Sequence, residues 1–132
     1  MLRPALPRHP ELTHTAIHTA TGVPVKVRPD LLVRRPAGRR LTLINFKTTS
    51  CRDRTHFLAT IEQYDYDRQA AFYFDALQAD RFLIIGVQKK APHAIWVFDA
   101  TAAPHLLEQG RRKYAALLRH HIRQTDSGAA EV

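Results

Sequence analysis

The chain predicts an α/β fold (α+β in its grouping), a central mixed sheet flanked by helices in the order β-β-β-α-β-β-α. Three observations predict it. Apolar and polar residues alternate from Val23 to Val33, as in a strand with one buried face. Phe82-Leu83-Ile84-Ile85-Gly86-Val87 and Ile95-Trp96-Val97-Phe98 are continuous apolar runs, the pattern of strands in a covered sheet. Two longer segments repeat their apolar residues near helical spacing.

In chain order, Pro4, Pro7 and Pro10 make residues 1–10 extended or disordered, because proline fixes φ and removes a backbone donor. One domain is expected over 11–125, with a disordered tail at 126–132. Thr13, Thr15, Ile17 and Thr19 support a first strand, and Thr21-Gly22 turns into a second. In that second strand Val23, Val25 and Val27 share one face, while Lys26, Arg28 and Asp30 share the other. A basic loop from Arg34 to Arg40, with Pro36 and Gly38, leads to a third strand, Leu41 to Thr48. From Asp53 to Ala79, Phe57, Leu58, Ile61, Tyr64, Arg68, Phe72 and Leu77 recur as in one long helix. Ala91-Pro92-His93 is short enough to join the last two strands as a hairpin. The final helix, Pro104 to about Arg123, turns Leu106, Leu107, Tyr114, Leu117 and Leu118 inward and its arginines largely outward.

Composition narrows the function classes. Twenty Lys and Arg against twelve Asp and Glu give a net charge of +8, which favours a polyanionic partner. The single Cys51 excludes an internal disulfide and a cysteine zinc cluster, and suits a reducing compartment. No apolar run approaches the roughly 18 residues of a membrane span, so a cytoplasmic protein is expected.

The chemistry concentrates at two strands. In a strand, residues two apart share a face, so Asn45 and Lys47 are expected to project together while Ile44 and Phe46 enter the core. Pairing with the strand that ends at Asp30 would bring the three polar groups together. Phosphodiester hydrolysis uses a hard cation, and Mg²⁺ takes carboxylates, carbonyls and waters. Asp30 and the Phe46 main-chain carbonyl are candidate ligands, with Asn45 beside them and Lys47 placed to orient water or balance charge.

Pro29-Asp30, fourteen residues, then Asn45-Phe46-Lys47 resembles the PD-(D/E)xK nuclease superfamily, whose core is restriction-endonuclease-like, with asparagine in place of its second acid. Thr21 to Asp30, Asn45-Phe46-Lys47-Thr48-Thr49 and Tyr64 to Tyr73 are similar to its exonuclease VIII (RecE-type), YqaJ-like branch. Gln69 and Tyr73 match that branch's Q-x-x-x-Y helix motif, and Val87-Gln88-Lys89 with Pro92 its later strand and turn. The resemblance implies a Mg²⁺- or Mn²⁺-dependent DNA exonuclease of recombination or phage origin. Asp30, Asn45 and Lys47 would be its catalytic positions, with Asp30, Asn45 and the Phe46 carbonyl at the metal. Gln69, Tyr73, Arg28 and Lys26 would contact DNA. Relatives that form rings allow a homo-oligomer or a recombination partner protein. An amide brings no charge to a cation, so Asn45 implies weakened or lost turnover, and the alternative is a degenerate DNA-binding module. Glu11 or Asp53 would be the carboxylates able to compensate. Tyr64, Tyr66, Phe72 and Tyr73 are able to stack on bases, but their number on one helix assigns most of them to the core.

Overall fold

The computed structural model describes residues 13–18, 20–35 and 40–126. The extended stretch expected at 1–10 and the tail beyond 126 lie outside the described residues, as does Glu11. Among the described residues there are six strands, three α-helices and a short 3₁₀ turn. A ribbon of β1 (His14–Ile17) and β2 (Pro24–Val27) stands apart from a four-stranded sheet of β3 (Leu31–Arg35), β4 (Arg40–Thr49), β5 (Arg81–Gln88) and β6 (Ile95–Asp99). The sheet order is β3-β4-β5-β6, with β4 and β5 parallel and the outer pairs antiparallel. The mixed sheet flanked by helices is thus as expected. A parallel pair needs a crossover, here α1 (Arg54–Gln63) and α2 (Tyr66–Ala76). The 3₁₀ turn Ala100–Ala102 leads from β6 into α3 (Pro104–Asp126).

Two expected elements divide. The single strand expected at 23–33 becomes β2 and β3, which lie in different sheets. Pro29, buried at the division, has no N–H to continue a ladder. The long helix expected at 53–79 becomes α1 and α2, because Asp65 takes a left-handed conformation (φ 58°) after α1 has closed on Tyr64. The observed order is therefore β-β-β-β-α-α-β-β-α rather than β-β-β-α-β-β-α.

One sheet face is buried under the helices. Leu32, Leu43, Phe82 and Ile84 meet Phe57, Ile61, Ala70, Ala71, Leu106 and Leu107 there. The facing was expected otherwise at Phe46, which is 47% exposed, whereas Asn45 follows Leu41 and Leu43 into the buried face at 3%. Leu117, expected inward, is half-exposed. Gly86 admits the Phe57 ring onto β5, since a Cβ there would lie 2.6 Å from ring carbons, and Phe57 stacks on Trp96 across the neighbouring strand.

The helix layer is tied by a buried acid. Asp67, fully buried on α2, accepts hydrogen bonds from Gln109 Nε2 (2.9 Å) and Lys113 Nζ (3.0 Å) of α3. Burial disfavours the Lys113 ammonium, but its bonds to Asp67 and Asp65 outweigh that and hold its pKa above the ordinary lysine value. The helices cross closely at Gly110, where a Cβ would come 2.1 Å from the Asp67 carbonyl oxygen.

Gly110→Ala is expected to lower stability by about 3 kcal/mol in urea titrations, because backbone cannot yield as a side chain can. Unchanged unfolding midpoints would refute this crossing geometry. Lys113→Met, which strips the buried Asp67 of its cation, is expected to cost about 2–3 kcal/mol. Adding Asp67→Asn should recover part of that loss; strict additivity would mean that the two groups do not interact.

Candidate functional site

The site forms where the β2–β3 junction meets the middle of β4. Backbone pairing of β3 with β4 begins at Leu31 opposite Ile44. Just outside it, the Phe46 N–H donates to Asp30 Oδ2 (2.7 Å) and the Asp30 N–H points to Asn45 Oδ1 at a longer 3.4 Å. Asp30 and Asn45 therefore extend the ladder with side chains. Lys47, two residues along the same face, is half-buried.

Helix α2 supplies the opposing wall. Lys47 Nζ donates to Gln69 Oε1 (2.7 Å) and lies 4.4 Å from the centre of the Tyr66 ring. Burial lowers the Lys47 pKa below the ordinary lysine value, and the charge of Asp30 offsets only part of that. A neutral amide and an aromatic face thus hold this cation. Tyr73, one turn beyond Gln69, also faces the cleft, but its ring edges onto Phe72 and the buried Phe82.

The structure accordingly brings Asp30, Asn45, Lys47 and Gln69 to one place, with Tyr73 at its inner end. Lys26 does not join them, being exposed on the β1–β2 ribbon opposite Thr15. Arg28 is exposed on the chain leading to Asp30. Asp53, considered as a compensating carboxylate, accepts the His56 N–H (2.8 Å) and caps α1 instead. Gln88 is buried and bridges the Cys51 carbonyl and the Ala94 N–H, fixing the loop after β4 to the β5–β6 turn.

Sequence reasoning assigned most of the helix aromatics to the core, which holds for Tyr66, packed against it, and undervalued Tyr64. Tyr64 is 58% exposed, and Tyr66 is the ring beneath Lys47. The signal was the Tyr-Asp-Tyr-Asp run at 64–67. Aspartate favours helix starts and tolerates left-handed backbone, so the run marks a break that carries its tyrosines out of one continuous helical face.

The donor set does not fit a Mg²⁺ or Mn²⁺ centre. Among the described residues Asp30 supplies the carboxylate beside Asn45, and one of its oxygens already accepts a main-chain N–H. Asn45 offers only a neutral oxygen, and hard divalent ions favour carboxylates. Among the described residues no group of three His, Cys, Asp or Glu is arranged to hold a metal ion.

A family model described as a PDDEXK-like domain of unknown function (DUF3799) matches residues 12–130. No curated protein matches the chain. Among solved structures, the crystal structure of SSO0001 aligns with a TM-score of 0.48 and 15% identity, covering 80% of this chain and 50% of that one. The chain thus spans about half the length of that protein.

In a ¹⁵N NMR titration, Lys47 is expected to lose its proton below the ordinary lysine value, and Asp30→Asn should lower that pH further. A Lys47 titration at or above that value would contradict its burial.

Proposed function

We propose a function from one premise: the chain belongs to the PDDEXK-like domain family whose model spans residues 12–130. It is a nuclease-fold module that binds DNA and in which metal-dependent cleavage is crippled. Nucleases of this family generally use divalent metals. The single observation that carries the reading is Asn45, 3% exposed and beside Asp30, where the branch resembling exonuclease VIII has an acid. The net charge of +8 supports a DNA partner. In this reading Asp30 and Asn45 lock the strand register, Lys47 and Gln69 meet a backbone phosphate, and Tyr73 backs the cleft. Lys26 and Arg28 add outlying positive charge.

The exonuclease reading retains one support of its own, the convergence of Asp30, Lys47 and Gln69 within a half-buried cleft. The same experiment decides between the two. Asn45→Asp is expected to bind Mg²⁺ about ten-fold or more tightly than the natural chain, because affinity follows the number of charged ligands. It should also degrade linear DNA faster, in a reaction that EDTA stops. Equal metal binding and equal degradation by the two chains would overturn the role given to Asn45. Fast degradation by the natural chain would establish the exonuclease. DNA affinity should fall steeply with salt, with a logarithmic slope of about −0.9 per neutralised phosphate. Salt-insensitive or absent binding would sink the DNA reading.

A further inference from the structure

We propose, resting on the DNA-binding reading, that the cleft beside Lys47 holds one unpaired nucleobase against Tyr64. The module then takes DNA with a single-stranded end in preference to blunt duplex. The cleft has a volume of about 370 Å³ and opens between Lys47, Tyr64, Tyr66, Arg68 and Gln69. That is in the range of small-molecule sites, enough for one nucleotide and too small for a duplex. Its two tyrosines have ring centres 6.0 Å apart and are tilted by 43°, and because Lys47 lies over the Tyr66 ring, the stacking surface is that of Tyr64. Tyr64, though large and aromatic, is 58% exposed. Any base has a π-face to lay on such a ring. Within a duplex that face is already stacked on its neighbours, leaving only edges and backbone to a protein. Stacking here therefore selects an unpaired base.

The surroundings supply the backbone contact and the rigidity. Lys47 gives one of its three donors to Gln69, which leaves donor capacity for a phosphate. Between the two tyrosines, Asp65 holds its left-handed turn with its carboxylate on Lys113 (3.0 Å). The platform is thus fixed before DNA arrives, which reduces the ordering cost of binding.

The test compares two DNAs by fluorescence anisotropy in EDTA: one duplex made blunt, and the same duplex carrying a short overhang with 2-aminopurine. The overhang form is expected to bind about ten-fold more tightly, the gain of one base–tyrosine stack. Tyr64→Ala should remove most of that ratio and the stacking quench of 2-aminopurine. Tyr64→Phe, which keeps the ring, should retain both. Equal affinity for the two DNAs, or a Tyr64→Ala loss that is equal on both, overturns the stacking inference and leaves DNA binding standing. Absence of binding to either DNA removes the DNA reading and this inference together.

Discussion

The contact on which the site depends lies away from it, between the buried Asp67 and Lys113. A fully buried carboxylate is tolerated only with close partners, and Asp67 has Lys113, Gln109 and the Arg68 N–H. Because Lys113 also reaches Asp65, one ammonium fixes both the start of α2 and the turn before it. Gln69 sits two residues beyond Asp67, so the rotation of α2 about its axis decides whether its amide meets Lys47. Gly110 belongs to the same constraint: only a residue without Cβ lets α3 approach the Asp67 carbonyl closely enough for this pairing.

At the sheet the polar groups are divided between structure and chemistry. Asp30 accepts from the backbone of β4, and Asn45 turns its oxygen to the backbone of Asp30. These bonds continue the β3–β4 ladder past its last backbone pair, at the point where Pro29 has interrupted the strand. An amide suits that position well, since it accepts a hydrogen bond while buried without the desolvation cost of a carboxylate. The same choice removes the charge a hard cation needs.

Much of the fold was legible because the patterns are strong. The continuous apolar run of β5 and the periodicity of α3 each left one reading, and β4 was placed within a residue or two of its ends. The two divided elements share a cause: alternation and periodicity report continuity poorly. Val23 to Val33 alternates through Pro29, and the helical spacing runs through Asp65, yet in each case one residue redirects the backbone. The facing at Phe46 failed differently. Large apolar residues were assumed to enter the core, but the helix layer covers the face of Leu41 and Leu43, so the polar Asn45 is buried and the aromatic Phe46 partly exposed. Within the candidate site, the approach of Asp30 to Asn45 followed from strand pairing, whereas a motif singled out Gln69 but not its hydrogen bond with Lys47. The tyrosine platform was hidden because its exposure depends on the helix break.

Charge balance connects the proposed loss of cleavage to retained binding. With two carboxylates beside Lys47, a site without metal would carry net negative charge and repel a phosphate at short range. With Asp30 alone, Lys47 balances it, and Gln69 stabilises the ammonium without adding charge. The desolvation that lowers the Lys47 pKa also weakens local screening, so its attraction for a phosphate is stronger there than at the surface. Asn45 thus acts in two directions in this reading: it deprives a cation of a ligand, and it lets the lysine address DNA without one.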